Sequence, residues 1–433
     1  MVNNINQLLV QAQSAKDTSD LSSLIQYLQQ LTLTEASTNP DIVNNREHIL
    51  ELALSVLQVG DFQQRWDITK VLIHLGNVAI PPLINILKDE DTEEELRWYA
   101  ARILGEFQHP DTIFPLVELL KKTEDEELKA IASTALGQMG TVAITALTEL
   151  LNNEDTRLLA VRSLAYISSQ EIITPLLTVV QDAQVAVRTT AIEALSNFHD
   201  QRVTPILLNA LDDLAATVRR AAVLGLGFRA DLCTELDLVT RLQPRLYDFN
   251  LEVCCAAAIA LSRMGTDDAA DQLFQVLVSP NTPLQLQLEI IRGLMWCETL
   301  SGLEYLHQAL NQTSSETLWQ EIITVLGQVQ KPQLTTPAAE ILLEILQSQH
   351  PAIKIASIKS AIALALGQLD NQQAIESLIL LLANTNQIVR LRAIASLKKL
   401  AGEDAHQKLQ QLANDTKLSP DLQQGVAIAL AEW

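Results

Sequence analysis

The sequence predicts an all-α fold, a right-handed α-α superhelix of about twelve stacked helical hairpins. Two observations predict it: a leucine that recurs every thirty-odd residues through most of the chain, and a composition suited to helix packing. Hydrophobic residues make up 48% of the 433 and aromatics only 4%, which describes a core of Leu, Ile, Val and Ala rather than a sandwich or barrel. A chain of this length exceeds what one globular core usually organises, so it is several domains or an array whose units touch only their neighbours. The repeat favours the array.

The recurring position is Leu75, Leu104, Leu136, Leu164, Leu195, Leu226, Leu261, Leu294, Leu326, Leu366, Leu397 and Leu430, at a mean interval of about 32 residues. Eight residues upstream the side chain is apolar from Leu96 onward, with Thr156 the exception, and four upstream it is alanine in most units, as at Ala100, Ala132 and Ala160. Spacings of eight and four share one helical face, and the alanines let a neighbouring helix approach closely. Glycine follows the leucine at Gly76, Gly105, Gly137, Gly227, Gly327 and Gly367, which predicts a left-handed C-terminal cap. A second apolar helix follows each connector, as in IPPLINILKD and VTPILLNALDD, with Pro82, Pro115, Pro175, Pro205 and Pro337 in its first turn.

Charge adds a further periodicity. Asp91 and Arg97, Asp182 and Arg188, and Asp213 and Arg219 stand six apart, with Lys129, Arg157, Lys359 and Arg390 at the same basic position. Stacking predicts a ladder in which each aspartate meets turn N–H groups or a neighbouring arginine. Cys254, Gln287 and Trp319 interrupt the basic row in three successive units, and QVQKPQLTTPAAE widens the step from Leu326 to Leu366, which predicts a change of pitch or a projecting loop near 329 to 338. The domain reading is a helical N-terminal cap over 1-60, broken by TLTEASTNP, then a solenoid over 61-433 with an irregular section near 250-340.

The composite strings VRTTAIEALSNFHDQRVTPILLNALDD and LRWYAARILGEFQHPDTIFPLVELLKK resemble the HEAT repeat, and within it the short variety typified by phycobilisome bilin lyase subunits of the E and F type. The likeness covers roughly residues 62 to 433. It implies a cyanobacterial source and two classes of function. One is a scaffold or assembly factor gripping a protein partner, such as a phycobiliprotein or photosynthetic subunit. The other is a lyase or lyase subunit that attaches or detaches a phycocyanobilin-type tetrapyrrole on a phycobiliprotein. Under the first no cofactor is expected; under the second a phycobilin is.

The inner curve is expected to be lined by the positions five and two before the key leucine and their neighbours. These are Glu95, Trp98, Tyr99, Arg102, Glu106, Arg162, Glu193, Glu289, Arg292, Trp296 and Glu321, a mixed strip whose Trp, Tyr and Arg are the residue types that most often carry binding energy. No catalytic constellation is visible. The strings GxGxxG, GxSxG and HExxH and the P-loop are absent, the seven histidines are dispersed, and the acid runs at 89–95 and 124–127 fall at helix starts, where the dipole favours negative charge. A net charge of -22 disfavours nucleic acid. The four cysteines lack CxxC spacing, and neither a secretory leader nor about 18 uninterrupted apolar residues occur, so the expected location is the cytoplasm, without membrane insertion.

Overall fold

The computed structural model describes residues 5–32, 40–415 and 417–433, and the predicted break TLTEASTNP lies largely outside them. Every regular element among the described residues is helical. Contacts divide the chain into two units, 1–198 and 199–433. In each, the leucine-bearing helices pack on one another in chain order as one layer.

In the first unit that layer runs through Phe62–Leu75, Glu94–Glu106, Glu126–Gln138, Glu154–Ala165 and Val185–Ser196. Ile80–Lys88, Pro110–Lys122 and Ile144–Leu150 pack successively behind it, and Leu21–Thr32 packs on Phe62–Leu75. In the second unit the layer is Ala216–Gly227, Leu251–Met264, Leu284–Trp296, Glu316–Gly327, Ala356–Gln368 and Gln387–Ala413, with Asp267–Leu277, Leu300–Gln312 and Pro332–Gln347 behind it. The key leucines are buried from Leu75 to Leu397, and Leu430 is half-buried. Fully burying one such side chain contributes about 1.5–3 kcal/mol, so the layers are held by this row and the alanine row beneath it. Thr156, the one polar member of the apolar row, is also buried, and its hydroxyl donates to the Leu150 carbonyl at 2.9 Å.

The glycines act differently from the prediction, with one exception. Gly76 takes a left-handed φ of 72° and ends its helix. Gly105, Gly137, Gly227, Gly327 and Gly367 instead lie within the last helical turn at ordinary φ. Their role is closeness: a Cβ on Gly105 would stand 2.7 Å from the Ala135 Cα, and one on Gly327 2.6 Å from the Ala365 Cβ. The missing methyl lets the next helix approach, with alanine opposite Gly105, Gly227 and Gly327, and Ser396 opposite Gly367.

Two other expectations are corrected. The segment near 329 to 338 is no projecting loop, because Pro332 opens a helix at a position that needs no N–H, and the widened step is absorbed by Pro332–Gln347 and a short 3-10 turn, Pro351–Lys354. Pro115 and Pro337 accordingly sit at the sixth residue of helices begun by Pro110 and Pro332, while Pro82, Pro175 and Pro205 are in first turns as predicted.

The ladder forms, in a sharper version than the spacing suggests. Four of its arginines donate to the carbonyl of the residue six before them, at 2.7 Å for Arg157 to Leu151, 2.7 Å for Arg188 to Asp182, 2.8 Å for Arg219 to Asp213 and 2.7 Å for Arg390 to Asn384. Two of them also meet the aspartate of the following repeat: Arg157 reaches Asp182 at 2.6 Å, and Arg219 grips Asp248 through two bonds of 2.7 Å. The aspartate is in turn fixed by the N–H two residues on, from Gln184 to Asp182 and from Asn250 to Asp248. Arg97 does not pair with Asp91, and its Nε reaches back to the Leu87 carbonyl. Where the basic row ends, donation continues, from the Cys254 thiol to the Asp248 carbonyl, Gln287 to Leu277 and the Trp319 indole to Leu310.

Phe62–Lys88 is long and apolar enough by composition to cross a membrane. It consists of two packed helices bent at Gly76, with Ile68, Leu72, Leu83 and Leu87 in the core.

Candidate functional site

An aromatic and charged cluster occupies the first unit where Phe62–Leu75 meets Glu94–Glu106. Trp66 and Trp98 stand 32 positions apart, equivalent places on neighbouring helices. The true register of the first repeat is therefore Leu72, not Leu75. Leu72 and Ile68, four before it, are fully buried, and Arg65 occupies the ladder's basic position. Arg65 is itself buried and answers two carboxylates of the next helix, Glu93 at 2.9 Å and Glu95 at 2.8 Å, while donating to the Gln58 carbonyl.

Arg102 lies flat against Trp66, 3.6 Å from the ring centroid, and 5.9 Å from that of Trp98. Its Nη1 is buried with no hydrogen-bond partner among the described residues. Phe62 stacks on Trp66, and Trp98 meets Tyr99 edge-on. Phe62 is 62% exposed and Trp66 38%, so aromatic surface faces solvent here although it is scarce in the chain. Tyr99 is buried rather than turned outward as predicted. Its ring packs against Phe62 and its hydroxyl donates to the Phe62 carbonyl at 3.0 Å; burial, then the nearby Glu95 carboxylate, pushes that hydroxyl above its ordinary pKa. Beside it opens a cavity of about 390 Å³ lined by Phe62, Trp98, Tyr99, Glu94, Glu95, Asp125, Glu127 and Leu128.

The other strip residues divide between the two units. Glu106, Arg162 and Glu193 are exposed in the first unit without a bond to one another. In the second unit Glu289, Arg292 and Glu321 form a chain of ion pairs, Arg292 to Glu321 at 2.6 Å and to Glu289 at 3.6 Å. Trp296, 63% exposed, shares a groove of about 690 Å³ with Arg263, Arg292 and Glu321. Arg263, stacked 4.5 Å over Phe228, escaped the sequence reading, as did Phe62, Arg65 and Trp66. The last three were recoverable from the 32-residue spacing of Trp66 and Trp98 had the first repeat been aligned on Leu72.

Chemistry finds little support elsewhere. All four cysteines are free and buried, and burial pushes Cys255 up to about 11 and Cys297 up to about 12, far from the thiolate that reactivity needs. Among the described residues no group of His, Cys, Asp and Glu is arranged to hold a metal.

A model of HEAT repeats matches residues 80–158, 144–227 and 356–431, together more than half of the chain. No curated protein sequence matches it. Among known structures the chain is similar to a homology model of the full-length AP-3 complex in an intermediate open conformation, at 11% identity, TM-score 0.50, with 100% of this chain and 93% of that chain covered. It is also similar to a Kap121p mutant, at 14% identity and TM-score 0.50, covering 99% of this chain and 61% of that one. At such identities the likeness concerns the fold alone.

Proposed function

Because this chain belongs to the HEAT-repeat family, we propose that it is a scaffold or assembly factor that holds a protein partner on the exposed face of its leucine-bearing helices. The observation that carries this reading is the Phe62, Trp66, Trp98 and Arg102 cluster, a solvent-facing concentration of the side chains that most often anchor interfaces, in a chain otherwise poor in aromatics. The exposed Glu106, Arg162 and Glu193 of the first unit are polar residues of the kind that surround such anchors, and the Glu289, Arg292, Trp296 and Glu321 surface is a charged and aromatic patch of the second unit's own. The first 60 residues act as a terminal cap in this reading, supported by the seating of Leu21–Thr32 on the first repeat. Four reduced cysteines favour a cytoplasmic setting.

Trp98→Ala combined with Arg102→Glu tests it. Proteins co-purifying with the wild-type chain from its source cell, quantified by mass spectrometry, are expected to fall at least tenfold while thermal melting shifts by only a few degrees. Retention of the full set of partners would refute this face.

The narrower reading, a phycobiliprotein partner with a bilin attached or detached, is supported by the likeness of the repeat strings to bilin lyase subunits. It predicts that phycocyanobilin mixed with the purified chain shifts its visible absorption and that an apo-phycobiliprotein then acquires covalent pigment. An unchanged spectrum with no adduct would dismiss it.

A further inference from the structure

We propose that the cavity beside Tyr99 receives a basic side chain, arginine or lysine, from an extended segment of the partner. This rests on the scaffold reading and names the chemistry of what is held. Three features of the cavity carry it.

The walls are aromatic. Exposed Phe62 and half-buried Trp98 line it, and buried Tyr99, tied to the Phe62 carbonyl, packs against both rings. Rings of this kind attract cations through the negative faces of their π systems, most strongly when water is partly excluded. The same cluster already displays that chemistry, since the Arg102 guanidinium lies 3.6 Å from the Trp66 centroid. Trp98 holds Arg102 only at 5.9 Å.

The rim is acidic and undercompensated. Glu94, Glu95, Asp125 and Glu127 surround the opening. Glu95 is answered by Arg65, which also serves Glu93, and Asp125 is spent capping its helix through the Leu128 N–H. Glu94 and Glu127 make no ion pair among the described residues and stand on neighbouring helices, able to converge on one guest cation. Carboxylates at helix starts also suit the helix dipole, but that accounts for neither the aromatic walls nor the cavity.

The size is suitable. A volume of about 390 Å³ takes one long side chain and part of its backbone and falls at the lower end of ligand pockets. The chain's net charge of -22 adds long-range attraction for a basic segment.

The test uses the full-length chain and a short peptide of alternating glycine and arginine, with the same peptide carrying citrulline as the uncharged counterpart. Binding is read by calorimetry and by tryptophan fluorescence at physiological salt. The arginine peptide is expected to bind and the citrulline peptide to bind at least tenfold more weakly. Glu94→Gln with Glu127→Gln, and separately Trp98→Ala, are each expected to weaken the arginine peptide about tenfold. Glu403→Gln with Asp404→Asn, an exposed acidic pair in the other unit, removes the same charge and is expected to leave binding unchanged.

Equal loss from both acidic pairs would make the attraction a property of net charge and overturn the proposal. Equal affinity for the citrulline peptide, or no effect of Trp98→Ala in a variant that melts normally, would do the same. The two readings separate cleanly. If the Glu94 and Glu127 variant keeps every co-purifying partner while Trp98→Ala with Arg102→Glu loses them, the scaffold face stands and the basic guest is rejected.

Discussion

Asp248→Ala is expected to destabilise the second unit by about 3–5 kcal/mol, the cost of stripping a partly buried arginine of its counter-charge. Arg219 is bound to Asp248 through both Nε and Nη2, with side chains only 13% and 4% exposed, so water replaces little of what is lost. The bond to Arg219 holds the Asp248 carboxyl below the usual carboxylate range, against the opposing effect of burial. A carboxyl depressed in the folded state contributes stability that is present above its unfolded pKa, about 4, and is lost as pH falls through the folded value. Urea denaturation across that window is therefore expected to show wild-type stability dropping on acidification and Asp248→Ala dropping less. Replacing both partners, Arg219→Met with Asp248→Leu, is expected to recover much of the loss, because it is the stranded charge that is costly. A single-variant loss under about 1 kcal/mol would mean that the pair is dispensable.

Gly105→Ala is expected to cost about 1–3 kcal/mol, whereas the same change at Gly402 is expected to be neutral or to gain up to about 1 kcal/mol. Alanine is intrinsically the better helix former, so composition alone would have both substitutions stabilise. At Gly105 the new methyl would meet the Ala135 Cα and Cβ at 2.7 Å, and a backbone atom has no rotamer into which to retreat. At Gly402 nothing lies within 4 Å. Melting the two variants side by side checks the claim, and a stabilised Gly105→Ala would mean that the repeats slide apart at little cost.

Much of the fold was legible because burial imposes a period. The leucine and alanine rows report which face of each helix is covered, and that constraint repeats with every layer. Less legible were features that depend on which neighbour a residue meets. Leucine-glycine reads the same whether glycine caps a helix or admits a small residue from the next one, and only the contacts at Gly105, Gly327 and Gly367 distinguish the two. Buried leucines at both 72 and 75 let the first repeat slip by three positions, which hid Arg65 and Trp66 from the site. Tyr99 looked outward-facing because its helical position points away from the leucine and alanine rows, but a large ring beside Phe62 finds more contact by turning in. The widened step before Leu366 suggested a loop because its extra length stands out against an otherwise steady repeat, whereas Pro332, at a first helical position where the missing N–H goes unused, starts a longer helix.

At Arg157, Arg188, Arg219, Cys254 and Arg390 the bond from the ladder donor to the carbonyl six residues earlier closes within a single repeat, before any neighbour is involved. A hairpin excised together with its preceding turn would thus carry its own clasp, whether the fastening group is a guanidinium or, as at position 254, a thiol. For anyone lengthening or shortening this protein, the seam to respect lies just ahead of that turn, and a graft that divides the donor from its oxygen would leave both ends undone.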